Sequence, residues 1–95
     1  MPRPRCQAQV EVTPGCRYFK PQGVRLADLQ EQRLGFEELE ALRLADAEGL
    51  YHAEAAARMG ISRSSFGRIL EGARRKVALA LVQGQALALG PCPPR

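Results

Sequence analysis

The sequence predicts one small, mostly α-helical domain, and three observations lead to this fold class. Its 95 residues are enough for a single core but not for two. Apolar residues recur at helical spacing between Phe36 and Leu81. Glycine, isoleucine and serine interrupt that pattern at residues 60–62, where we expect a sharp turn between two helices.

The two ends of the chain differ from this helical centre. Residues 1–25 hold four of the seven prolines and predict an irregular arm, in which QVEV at 9–12 alternates weakly like a strand. The helical domain is placed at residues 26–83, and VRLADLQEQRLG at 24–35 favours a short helical stretch before a glycine. For the tail at 84–95 we expect a short strand or disorder.

Three helices are expected in the helical domain. The first begins at Phe36, has Glu37 and Glu38 in the opening turn where the helix dipole favours anions, and stops at Gly49. The second covers residues 52–59, which include four alanines. The third is long, and its apolar positions lie three and four residues apart in one stripe: Phe66, Ile69, Leu70, Ala73, Val77, Ala80 and Leu81.

The stretch between the second and third helices has the features of a helix-turn-helix. Ala56 is small where the two helices would cross, and Gly60 permits the positive φ of a tight turn. Ile61 and Phe66 are expected to fill the wedge between the helices, and Ser62 is the expected N-cap of the third helix. The sequence therefore predicts a helix-turn-helix domain with an irregular or short-strand N-terminal arm and a long third helix.

This motif predicts a DNA-binding site, because it inserts the start of its second helix into the major groove. Arginine can donate two hydrogen bonds to guanine, and serine can serve several bases or a phosphate. The predicted base-reading residues are Arg63, Ser64, Ser65 and Arg68, and the predicted phosphate contacts are Arg58, Ser62, Arg74, Arg75 and Lys76. Gly67 costs this helix about 1 kcal/mol relative to alanine. Close approach of DNA or of a neighbouring helix would explain it, and simple tolerance is the alternative.

The charge distribution agrees with this site. The net charge is only +4, but residues 26–57 hold eight acidic side chains against two arginines. Residues 58–76 hold six basic side chains against one glutamate. A domain charged in this way can turn one face to a polyanion while keeping another away. An α-helical hairpin whose arginines form a solvated face is the alternative interpretation.

Two further signals concern the arm. Arg3 and Arg5 fit either an arm in an adjacent minor groove or a solvated tail. Tyr18 and Phe19 are expected to cap the core or a dimer contact, with Lys20 near a phosphate.

No metal, cofactor or catalytic site is predicted. Cys6, Cys16 and Cys92 lack paired metal-ligand spacing, so a zinc site with His52 is disfavoured and reduced thiols are expected. The sequence offers no catalytic partner residues for Glu37, Glu38 and Glu40. These side chains are interpreted as a solvated helical face that repels phosphate.

The chain also resembles known families. FEELEALRLADAEGLYHAEAAARMGISRSSFGRILEGARRKVA, at residues 36–78, resembles the helix-turn-helix of sigma factor region four. Over nearly the whole chain, PRPRC, YFKPQGVRLADL, EAAARMGISR and SFGRILE resemble the small bacterial and archaeal proteins of the domain of unknown function 134 family. This second resemblance implies a helix-turn-helix fold and DNA binding, without a known target.

Together these observations predict a cytoplasmic transcriptional regulator that binds double-stranded DNA. No apolar run of about 20 residues or signal-peptide pattern is present in the sequence. The apolar part of the third helix is longer than a three-helix domain can bury, and the surplus includes Leu79, Leu81 and Val82. A homodimer and a roughly palindromic DNA site are therefore expected. The alternative is a protein-interaction module that binds RNA polymerase or a sigma antagonist.

Overall fold

The structure, a computed structural model, describes residues 17–90, which form three α-helices and one three-stranded sheet. The strands are β1 (Arg17–Phe19), β2 (Glu31–Leu34) and β3 (Ala86–Leu89); the helices are α1 (Phe36–Leu42), α2 (His52–Met59) and α3 (Arg63–Gln83). A 3-10 turn covers Leu26–Asp28, and a π-helical segment, Arg43–Ala47, continues α1. The predicted fold class, mostly helical with a long third helix, is confirmed. The weak strand pattern at 9–12 lies outside the described residues.

The first helix begins and ends where its sequence signals predict. The backbone N–H of Gly35 donates to Oε1 of Glu38 at 3.0 Å, so a side chain of the opening turn caps the helix start. After α1 the backbone hydrogen bonds span five residues instead of four. The N–H of Glu48, for example, donates to the carbonyl of Arg43 at 2.8 Å. Gly49 follows with φ +78°, a left-handed conformation that ends the helical path.

The helix-turn-helix has the predicted boundaries. Gly60 adopts φ +70° directly after α2, and its N–H donates to the carbonyl of Ala57 at 3.1 Å. The hydroxyl of Ser62 accepts a hydrogen bond from the N–H of Ser65 at 3.0 Å, so Ser62 is the N-cap of α3. Local turn and capping chemistry therefore fixes the start of α3 relative to α2.

The main core lies between the helix-turn-helix and the helix before it. Phe66 is completely buried, and Ile61 packs partly buried against the same cluster, as the wedge prediction requires. Ala55 and Ala56 are buried where α2 lies against α3, since small side chains allow the two backbones to approach. The buried members of this cluster are Ala41, Leu44, Ala55, Ala56, Met59, Phe66 and Leu70.

A second core lies between α3 and the sheet, whose order is β1-β3-β2. Strand β3 is antiparallel to β1 and parallel to β2, with Ala88 opposite Tyr18 and Leu87 opposite Gln32. Leu34 and Leu89 are buried against Ala73 of α3. The predicted short strand in the tail is therefore the central strand of this sheet.

Two sequence expectations are wrong. The helical stretch expected at 24–35 is limited to the three-residue 3-10 turn, because residues 31–34 pair with a strand 55 residues further along the chain. Glu40 is buried to 1% exposure instead of lying on a solvated face. Its carboxylate accepts two hydrogen bonds from the Arg43 guanidinium, at 2.8 and 2.9 Å, which compensate its charge. The same guanidinium also binds Glu48.

Within residues 17–90, the structure contains no helix that is both long and apolar enough to cross a membrane.

Candidate nucleic-acid interface

The outward face of α3 presents the polar residues expected of a recognition helix. Its 21 residues correspond to a length of about 31 Å. Ser64, Arg68, Glu71 and Arg75 follow one another at intervals of four, three and four residues, so they share one face, and all four are exposed. The first two turns of this face are free of acidic side chains.

The four predicted base-reading residues come together at the start of α3, but on three sides of it. Ser64 and Arg68 are on the outward face, whereas Arg63 is on the flank towards α2. Ser65 is half-buried, and its hydroxyl lies 3.5 Å from an Arg68 guanidinium nitrogen. Among the described residues, neither Arg63 nor Arg68 makes an ion pair, so both cations remain available to an anion.

The predicted phosphate contacts divide into two groups. Arg58 in the last turn of α2, Ser62 at the cap and Arg75 on the outward face of α3 are all exposed. Arg74 and Lys76 form ion pairs with Asp46 and Glu38, and their relative side-chain exposures are 52% and 35%.

Arg74 is held by the π-helical segment. Its Nε and one terminal nitrogen donate to the two carboxylate oxygens of Asp46 at 3.0 and 2.6 Å, a bidentate arrangement. The hydrogen bond from Arg74 lowers the pKa of Asp46 below its ordinary value, although partial desolvation opposes it. Asp46 therefore carries its charge at neutral pH.

Lys76 is on the opposite flank of α3. Its ammonium donates to the carbonyl of Arg33 at 2.7 Å and to Oε1 of Glu38 at 2.9 Å. These contacts join α3 to β2 and α1. We therefore assign Lys76 to holding the helices together and leave it out of the interface.

Sequence reasoning missed a groove beside the start of α3. Tyr51, which directly precedes α2, is 84% exposed and lines this groove together with Arg63 and Arg74. The neighbouring His52 is half-buried, with its ring edge-on to Phe66 at 5.5 Å between centroids. A single tyrosine between two helices gives no sequence signal; its exposure and its position beside two arginines identify it.

The remaining predicted residues are distant from this surface or outside the described part. Tyr18 donates to Oε2 of Glu31 at 2.7 Å within the sheet, and Lys20 donates to the carbonyl of Pro21. Phe19 is 57% exposed and lines a second groove with Leu81. Residues 17–90 contain no group of three histidine, cysteine or acidic side chains that could hold a metal ion. The predictions for Arg3, Arg5, Cys6, Cys16 and Cys92 lie outside the described residues.

Comparison with known proteins identifies similar sequences without an assigned activity. Residues 1–91 match the family described as "Protein of unknown function DUF134". The "UPF0251 protein" of Methanosarcina acetivorans is 54% identical over 87 residues, which are 92% of this chain and 78% of that protein. The proteins of the same name from Moorella thermoacetica and Desulforudis audaxviator are 56% and 57% identical over 92% and 88% of this chain. Those matches cover only 58% and 54% of the two relatives, so the chain spans little more than half of their length. No solved structure matches the chain.

Proposed function

This chain belongs to the DUF134 family of proteins of unknown function, and we propose that it binds double-stranded DNA sequence-specifically through its helix-turn-helix and regulates transcription. One observation carries the proposal. The capped start of α3 presents Arg63 and Arg68, and neither cation is paired with an acidic side chain in the described part of the protein. The proposed regulator acts in the cytoplasm, without a catalytic step or a bound cofactor.

The proposed contacts follow from the position of each side chain on α3. Arg68 and Ser64 read base edges from the outward face, while Arg63 and Ser65 reach them from the two flanks. The phosphates on either side are bound by Arg58, Ser62 and Arg75, which gives an affinity that falls with salt. Arg3 and Arg5 either extend these contacts into a minor groove or remain a solvated tail.

We further propose that the DNA-binding form is a homodimer. Leu81 and Val82 are 75% and 81% exposed at the end of α3, and Phe19 is exposed beside Leu81. Burying these side chains against a second copy is favourable. A two-fold dimer would bind a roughly palindromic site with half-sites one or more turns apart. Sedimentation of the wild type and of Val82→Glu tests this, and a monomeric wild type at micromolar concentration would rule it out.

The test of DNA binding is capture of fragmented genomic DNA on the purified protein, at two salt concentrations. The Arg63→Ala/Arg68→Ala variant is run in parallel. Arg17→Ala/Arg25→Ala removes the same charge from residues outside the helix-turn-helix and is the matched control. We expect enrichment of a shared sequence by the wild type and the control but not by the first variant. Circular dichroism must show that both variants are folded.

A different result would favour the alternative function. If the wild type retains DNA uniformly or not at all, sequence-specific regulation is excluded. A protein-interaction module that binds RNA polymerase or a sigma antagonist then becomes the better proposal. Under that alternative, partner binding would survive in the Arg63→Ala/Arg68→Ala variant.

A further inference from the structure

We infer that the groove beside Tyr51 and Arg63 receives a backbone phosphate of DNA, and that the Asp46 carboxylate occupies the place of that phosphate on Arg74 in the free protein. This inference rests on the proposed function and names additional residues of the same interface. It assigns Tyr51 as a DNA contact and Asp46 as an internal competitor.

The exposure of Tyr51 is the first observation. The side chain is 84% exposed, which makes it the most exposed of the large apolar and aromatic side chains in the described part of the chain. Its hydroxyl makes no hydrogen bond to any residue between 17 and 90. Tyrosine hydroxyls are frequent donors to DNA phosphates. Tyr51 lines the same groove as Arg63, one of the proposed base-reading residues.

The state of Arg74 is the second observation. Its side chain lines this groove, and its Nε and one terminal nitrogen donate to Asp46. A carboxylate and a phosphate accept the same two parallel hydrogen bonds from arginine. The pair is half-exposed, so water and a competing anion have access to it. Asp46 therefore lowers DNA affinity in two ways, because it occupies two nitrogens of Arg74 and adds a negative charge beside them.

The test compares the salt-dependent affinity of variants with opposite expected effects. Binding to the enriched duplex is measured by fluorescence anisotropy over a salt series; if none is enriched, a random-sequence duplex is used. Tyr51→Phe should bind about ten- to 150-fold more weakly, since a hydrogen bond to a charged group is lost. Asp46→Asn should bind about three- to ten-fold more tightly, and its slope of log K against log salt should steepen by about 0.9, the value for one added phosphate contact.

Two variants show whether the gain comes from Arg74. Asp28→Asn removes the same charge from another exposed pair, with Arg25 at 3.0 Å, and lies outside the groove. It should leave the salt slope unchanged. In Asp46→Asn/Arg74→Gln the gain should disappear, because the released cation is absent.

The outcomes separate this inference from the proposed function. If Arg63→Ala/Arg68→Ala loses DNA binding while Tyr51→Phe and Asp46→Asn match the wild type, the groove assignment is wrong and the helix-turn-helix function stands. An Asp46→Asn gain no larger than that of Asp28→Asn also overturns the competitor role. If the folded wild type binds no duplex, both proposals fail.

Discussion

Replacing Gly67 by alanine should stabilise the protein and weaken DNA binding at the same time. Gly67 lies inside α3, and a Cβ built on it meets no atom within 4 Å. A methyl group there causes no clash within the described fold, so the neighbouring-helix explanation for this glycine is excluded. The gain is the difference in helix propensity, about 1 kcal/mol. It corresponds to a rise in melting temperature of about 4–8 °C for a domain of this size.

The DNA affinity of Gly67→Ala should fall, although its stability rises, if DNA approaches this part of the helix. Gly67 directly precedes Arg68 and lies three residues after Ser64, so its added methyl would point towards the proposed interface. Overpacking a close contact costs about 1–3 kcal/mol, or roughly five- to 150-fold in Kd. Urea denaturation measures the first effect and fluorescence anisotropy with duplex DNA the second.

Gly72→Ala is the matched control for this experiment. Gly72 is in the same helix, and its added Cβ would lie 3.8 Å from Oε2 of Glu38, an ordinary contact on the flank towards α1. The same gain in stability is expected, without a loss of affinity. A destabilised Gly67→Ala would refute the helix-propensity argument. Unchanged DNA affinity would show that the glycine is simply tolerated.

Three further predictions concern charges and caps. Glu40→Gln should lower the free energy of unfolding by about 3 kcal/mol, because it removes the buried carboxylate that accepts two hydrogen bonds from Arg43. Glu48→Gln, at the exposed end of the same cluster, should cost less than about 1 kcal/mol, and urea denaturation of both variants distinguishes them. The lowered pKa of Asp46 means that its pair with Arg74 stabilises the fold above the unfolded pKa of about 3.9. The stability difference between wild type and Asp46→Asn should therefore shrink as pH falls through the folded-state pKa, and a constant difference down to pH 2 would contradict this. Ser62→Ala should cost about 1 kcal/mol in thermal unfolding, and Ser62→Asp should restore most of it; equal losses would show that the cap contributes little.

The sequence predicted the helix-turn-helix well because its signals are local. The positive φ of Gly60 and the cap formed by Ser62 depend on residues within one turn, and α2 begins and ends at the predicted residues. The stripe on α3 predicted Phe66 and Leu70 as core, and its surplus length predicted that the domain would leave Leu81 uncovered. That outcome depends on the distant strands that cover only part of α3.

The missed features depend on contacts between distant residues. EQRL at 31–34 has one apolar residue and no strand alternation, and it becomes a strand only through its parallel pairing with β3. The pair of Asp46 and Arg74 joins residues 28 apart, so Arg74 could be predicted only as a free cation. Sequence spacing alone predicts a polar face for Glu40, because it does not reveal the burial that pairs this carboxylate with Arg43.

The central position of β3 has a consequence for how this protein is made and altered. Both outer strands bond to residues 86–89 and not to each other, so β1 and β2 have no partner until that segment leaves the ribosome. The helix-turn-helix can gain its local turns earlier, whereas the sheet that supports the second half of α3 assembles last. A chain truncated after α3 would therefore lose the whole sheet instead of a dispensable end. A fusion partner placed after residue 90 would instead extend from the end of the sheet's central strand.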